Sequence, residues 1–187
     1  DGDVNARLHP DIPLNGELVT AKGEVTLRNN SLFIKPLDST LKNLSGKFSF
    51  INGDLQSEPL TASWFNQPLN VDFSTKEGAK AYQVAVNLNG NWQPAKTGVL
   101  PEAVNEALSG SVAWDGKVGI DLPYHAGATY NVELNGDLKN VSSHLPSPLA
   151  KPAGEPLPVN VKVDGNLNSF ELTGQAGADN HFNSCWL

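Results

Sequence analysis

Along most of this chain a large aliphatic or aromatic residue is followed by a polar one and then by another apolar one, in short runs. Period-two alternation sends successive side chains to opposite faces of a strand, so the pattern predicts antiparallel sheet with one dry side. The dry positions are Val25 and Leu27, Phe48 and Phe50, Val71 and Phe73, then Val84, Val86 and Leu88. They continue through Val112 and Trp114, Val118 and Ile120, Val132 and Leu134, Val161 and Val163, and Phe170 and Leu172. Turn signals punctuate these runs at Asn29-Asn30-Ser31, Asn52-Gly53-Asp54, Lys76-Glu77-Gly78 and Asp115-Gly116, two strands are expected to end at Asn89-Gly90-Asn91-Trp92 and Asp164-Gly165, and Asn135-Gly136 follows the run of Tyr130, Val132 and Leu134. Roughly ten to twelve strands at about 4.8 Å spacing would make a sheet about 50 Å wide.

The segment Gly46 to Leu60 repeats the skeleton of Gly23 to Leu37: Gly, two apolar residues two apart, Asn, a later Leu, then Pro-Leu. Each copy is expected to be a hairpin whose returning strand stops where proline cannot donate to the ladder. Repetition of this kind marks stacked supersecondary units that cannot cover their own apolar faces alone. Asp1 to Asn15 is expected to be an edge strand or a frayed end.

One helix is predicted, Pro101 to Leu108, with proline at its first position, Glu102 near its positive end and Gly110 past its last turn. Val104, Ala107 and Leu108 share a face, which predicts that it caps the sheet. Leu145 to Pro158 is too rich in proline for a central strand and is expected to be an extended crossover. The organisation expected is a repeated hairpin section over 1–96, a helix and connector over 97–110, and a further hairpin section over 111–187 with the crossover at 145–158, all in one sheet.

Alternation alone leaves three ways to shelter the dry face: two facing sheets, a closed barrel, or a curved gutter that keeps its interior for an apolar ligand. An exposed face of that size would otherwise invite aggregation. Alternation by itself puts a sandwich or barrel ahead, and the repeat of extendable hairpins pulls the other way, toward the gutter, because a sandwich needs Greek-key crossovers. Trp64, Trp92 and Trp114 fit either a rim or a core.

A net charge of -7, with 13 Lys and Arg scattered singly, provides no basic stripe for nucleic acid and no polybasic cluster for an anionic membrane surface. No run approaches the roughly 20 apolar residues of a spanning helix. The absence of Met predicts a processed product or a piece of something longer, with any anchor outside it. Cys185 is the one cysteine, which excludes an internal disulfide; a buried or idle thiol is expected, the alternative being an intermolecular link. His9, His125, His144 and His181 have no metal-ligand spacing. Ser109 lacks a nucleophile elbow, and the glycines fit turns better than a phosphate loop. No catalytic residue, metal or cofactor is therefore expected, and the chain is not expected to be an enzyme.

The Gly-x-Phe-x-Phe-x-Asn-Gly-x-Leu hairpin, the strand Pro68 to Asp72, Tyr82 to Trp92, the Leu100-Pro101 helix and the Leu145 to Pro158 segment together resemble the AsmA-like superfamily. Within it they are most similar to the very long bridge-like lipid transfer proteins of enteric bacteria. The resemblance spans essentially the whole chain, and the order of the motifs and the proline-rich segment are its specific parts. It implies an all-β, mainly antiparallel, curved sheet of repeated hairpins forming an open groove, with one short capping helix. It implies a periplasmic bridge anchored in the inner membrane, with the dry positions named above lining a path for phospholipid acyl chains. Partners would be those acyl chains and neighbouring parts of the same long chain, with membrane contact only through parts outside this fragment. A β-sandwich interaction, adhesion or glycan-binding module with a filled core is the alternative from another class.

Overall fold

In the computed structural model, which describes residues 2–11, 20–34, 38–147 and 149–186, the alternating runs form strands that stand side by side in the order in which they are made. They are β1 (Asp3–Asp11), β2 (Thr20–Ile34), β3 (Ser39–Ile51), β4 (Asp54–Ser57), β5 (Leu60–Trp64), β6 (Gln67–Glu77) and β7 (Ala81–Trp92). After the helix α1 (Glu102–Ala107) come β8 (Leu108–Gly110), β9 (Val112–Pro123), β10 (Thr129–Asp137), β11 (Val141–Ser143), β12 (Pro158–Asn166), β13 (Phe170–Ala176) and β14 (Asn180–Trp186). All but β8 and β11 belong to one 12-stranded antiparallel sheet, in which β4 and β5 share a single rib between β3 and β6. Its edges are β1 and β14, which do not pair with each other, so among the described residues it is neither a closed barrel nor a sandwich. The first run of the chain is indeed an edge strand.

The two ends of the strands differ. At one, the turn end, Asn52-Gly53 and residues 78–80, 124–128 and 167–169 make short returns. At the other, the loop end, residues 93–111 and 138–157 leave the sheet and come back to the adjacent rib. These two excursions clasp each other through the β8–β11 ribbon, where Ser109 and Ser142 hydroxyls meet at 2.7 Å and His144 N–H donates to Ala107 C=O at 2.8 Å. The proline-rich segment folds back within this clasp, with Lys151 paired to Ser143 and its Nζ donating to Val141 C=O at 3.0 Å. Helix α1 lies against β8 and the 3-10 turn Pro94–Lys96, not on the large sheet as a cap.

Several expected turns are strand interior. Asp115-Gly116 and Asn135-Gly136 lie within β9 and β10, β12 runs on past Asp164-Gly165 to Asn166, and Asn89-Gly90 lies within β7, which ends at Trp92 as expected. In each, the glycine falls on the apolar face, where missing Cβ atoms admit neighbouring side chains, and the Asn or Asp falls on the polar face. The first repeat is likewise not a hairpin: Asn29-Asn30-Ser31 is a bulge inside β2, with Asn29 at φ 52. A compensating irregularity at Asn43 (φ 55) in β3 restores the register, and Asn29 N–H donates to Ser45 Oγ at 2.9 Å between them. The second repeat does turn, at Asn52 (φ 53) followed by glycine. The two copies therefore pair with each other about a local twofold centred on Val25 and Phe48. The last part of the first copy, 35–37, lies outside the described residues.

Between β4 and β6 the sheet has a seam. The only ladder pair is Gln56 with Ser74; around it side-chain oxygens replace carbonyls as acceptors. Phe73 N–H donates to Ser57 Oγ at 2.7 Å, Leu55 N–H to Thr75 Oγ1 at 2.9 Å and Glu77 N–H to Asp54 Oδ1 at 2.7 Å. On the loop-end side β5 is fully paired to β6, and their hairpin closes through Phe65 (φ 48) and Asn66 (φ 58), the left-handed pair that a two-residue loop demands.

Candidate functional site

Every dry position predicted from the sequence lies on one face of the large sheet, and registry carries that face across the ribs. A central row begins with Val25 beside Phe48 and resumes beyond the β4–β6 seam as Phe73, Val86, Val118, Val132, Val163 and Leu172. The seam interrupts it with Ser57, but the Phe48 and Phe73 rings close over the gap with centroids 5.6 Å apart. Toward the loop end a second row holds Leu27, Val71, Leu88, Leu134 and Val161, and beyond it lie Trp114 and Val112; toward the turn end a third holds Phe50, Val84, Ile120 and Phe170.

Nothing is layered on this face among the described residues, yet from β6 to β13 its side chains are half-buried while most of those on the opposite face are exposed. In a single-layer sheet that asymmetry means the sheet curls toward its apolar side, so that neighbours shelter one another. Glycines on the same face make room for large side chains: Phe50 lies over Gly23, Leu134 over Gly116, Tyr130 over Gly165 and Phe182 over Gly174. Both edges leave the face open, with Val4 58% and Leu8 64% exposed on β1 and Trp186 62% exposed on β14.

The face is filled in one place. Leu41, Ala62 and Leu69 are buried at the loop end, with Ile34, Leu44, Trp64, Val71, Leu88, Trp92 and Trp114 against them. Trp64, Phe65, Trp92 and Trp114 form a connected ring cluster, Trp92 and Trp114 edge-on at 4.9 Å. The Trp64 indole N–H donates to Ser39 Oγ at 2.8 Å and that of Trp92 to Pro68 C=O at 2.6 Å. The tryptophans are thus core at this end of the sheet.

The opposite face carries an amide and carboxylate ladder. Asn70 Nδ2 donates to Asn89 Oδ1 at 3.0 Å, Asn135 Nδ2 to Asp115 Oδ2 at 3.3 Å and Asn160 Nδ2 to Asn135 Oδ1 at 2.6 Å. Cys185 is exposed on this side of β14, not buried. Among the described residues no three His, Cys, Asp or Glu side chains gather as a metal site, and no helix is long and apolar enough to cross a membrane.

The predicted dry positions leave out Leu41, Leu60, Ala62 and Leu69, although these are the most buried apolar residues of the sheet, and of the four alternation picks out Leu69 alone. The bulge at Asn43 shifts Leu41 out of phase with Phe48, and the break at Glu58-Pro59 hides that Leu60 and Ala62 continue the face of Leu55. Leu69 carried a signal, since it alternates with Val71 and Phe73.

Set beside known proteins, the chain matches the family model described as YhdP protein over residues 1–187. It is 97% identical over 187 residues to the Escherichia coli (strain K12) protein named intermembrane phospholipid transporter YhdP, a match that covers 100% of this chain and 15% of that protein. No solved structure matches the chain.

Proposed function

The chain belongs to the YhdP family, and on that premise we propose that it is one stretch of a periplasmic bridge whose apolar groove conducts phospholipid between the inner and outer membranes. The observation that carries this reading is the registered apolar face, which continues from rib to rib with no second layer over it among the described residues. A face of that extent on a soluble domain needs an occupant, and acyl chains are the occupant whose chemistry matches aliphatic and aromatic walls. Headgroups stay at the open, wet side of the groove. Because aliphatic contacts are non-directional, a lipid can slide along the row without being held at any one residue. The mechanism needs no catalytic group or cofactor. Among the described residues nothing pairs with the outer side of the edge strands β1 and β14, and further strands of the same long protein would add there, continuing the path at both sides.

A charge in the middle of the row tests this. Val86→Asp in the intact protein places a carboxylate between Phe73 and Val118, where desolvating it against acyl chains is costly. The expected outcome is loss of phospholipid delivery to the outer membrane with normal protein levels, whereas Asn87→Asp on the polar face leaves delivery intact. Normal delivery by the Val86→Asp protein would overturn the conduit.

A further inference from the structure

The apolar face is not uniform, and the difference bears on where a lipid can lie. At the loop end it is a closed packing of side chains; over the central and turn-end rows it is a half-buried, uncovered floor. We infer that the acyl path runs along the central row from Phe73 to Leu172 on its turn-end side, and that the tryptophan cluster is a shoulder closed to lipid, which fixes one wall of the groove. This inference rests on the phospholipid reading above and narrows it.

Two sets of observations support the closed shoulder. Leu60 and Leu69 are each only 2% exposed, as deep as any residue of a conventional core, so nothing is left there for a ligand to bury. Of the indoles packed against Leu69, that of Trp64 is held by Ser39 Oγ in a part-buried bond and that of Trp92 by Pro68 C=O, so a lipid entering here would have to break both bonds and leave the Trp64 donor unpaired away from water. Gly90 leaves no free notch, because the space its missing Cβ would occupy is taken by the Trp92 and Trp114 indole nitrogens.

The floor has the opposite character. Val86, Val118, Val132 and Val163 are consecutive cross-strand neighbours, giving four β-branched side chains of one height and stiff χ1. They make an even track with no deep pocket to trap a chain. From β6 to β13 the track crosses five strand spacings, about 24 Å, against about 15 Å for the depth of one leaflet's hydrocarbon. The tails of a phospholipid can therefore rest wholly on the track without reaching the shoulder. Of the dry positions predicted from sequence, Val71, Leu88 and Trp114, which pack against the buried cluster, and Val112, the cross-strand partner of Trp92, then act as wall, and Val86, Val118, Val132 and Val163 as floor.

The test is photocrosslinking in living cells with a photoactivatable phenylalanine analogue in the intact protein, at Val118 and Val132 on the floor, at Leu88 and Val112 on the wall, and at Asn87 on the polar face. Val112 stands at the start of its strand and provides a second wall position should the probe at Leu88 unfold the protein. The expected result is phospholipid adducts at Val118 and Val132 several-fold above those at Leu88 and Val112, with none at Asn87. Comparable adducts at floor and wall would overturn the closed shoulder and leave the phospholipid reading standing. No adduct at any apolar position, with the protein present at normal levels, would remove the phospholipid reading and this inference with it.

Discussion

At Gly90 a Cβ would sit 2.8 Å from Trp92 Nε1 and 3.1 Å from both Pro68 O and Trp114 Nε1, so Gly90→Ala must displace an indole or the backbone beside it. Overpacking of this kind costs about 1–3 kcal/mol, and denaturant unfolding should show a lowered midpoint. Ser57 offers a different single-atom test. Its hydroxyl is the acceptor for Phe73 N–H at the seam, and the residue is 8% exposed, so Ser57→Ala leaves a buried donor unpaired at a cost of about 1–3 kcal/mol. Ser57→Thr, which keeps the hydroxyl, should recover most of that loss in the same unfolding measurement. Glycine is also where the sequence misled. Asn-Gly and Asp-Gly are strong hairpin signals, but among those lying wholly within the described residues only Asn52-Gly53 turns; Asn89-Gly90, Asp115-Gly116 and Asn135-Gly136 place the amide or carboxylate in the polar ladder and the glycine beneath or beside a large side chain. Both uses exploit the same missing Cβ, and a single sequence has no local feature that tells them apart.

Among the elements, strands β6 and β7 were legible because their apolar residues stay in phase from end to end. Strands β2 and β3 were not, since paired irregularities at Asn29 and Asn43 shift the phase midway and the period-two rule reads a shift as a turn. The helix was found at its true position, but its partners were not, because a half-turn of apolar residues says nothing about which neighbour it meets. Those partners belong to the clasp, whose tightest point is Gly110 at φ 98, lying against Asn140 C=O. Gly110→Ala adds both a disfavoured backbone conformation and a clash there. The expected outcome is accelerated protease cleavage within 93–111 and 138–157 while far-ultraviolet circular dichroism, dominated by the large sheet, stays unchanged.

Over the whole molecule, each rib touches chiefly its two neighbours, so stability is a chain of nearest-neighbour terms with no common centre. The buried cluster under β3, β5 and β6 is the strongest link, and β14, exposed along its length, is the weakest. Native-state hydrogen exchange should rank amides accordingly, slowest in β5 and β6 and fastest in β14; uniform protection across the sheet would contradict this picture. The all-β class, the strand number and the face of each dry residue were legible, because alternation encodes them directly. Whether that face was covered was not, since a sandwich core and an open groove ask for the same residues.

The neighbour-to-neighbour order also sets a rule for how such a protein can change in length. Insertion of a single strand would carry every later connection to the opposite rim, moving the clasp from one lip of the groove to the other. Insertion of two leaves the rims as they were. Bridges built on this plan should therefore differ in reach by whole strand pairs, in steps of about 9.5 Å, a ruler whose smallest division is the hairpin.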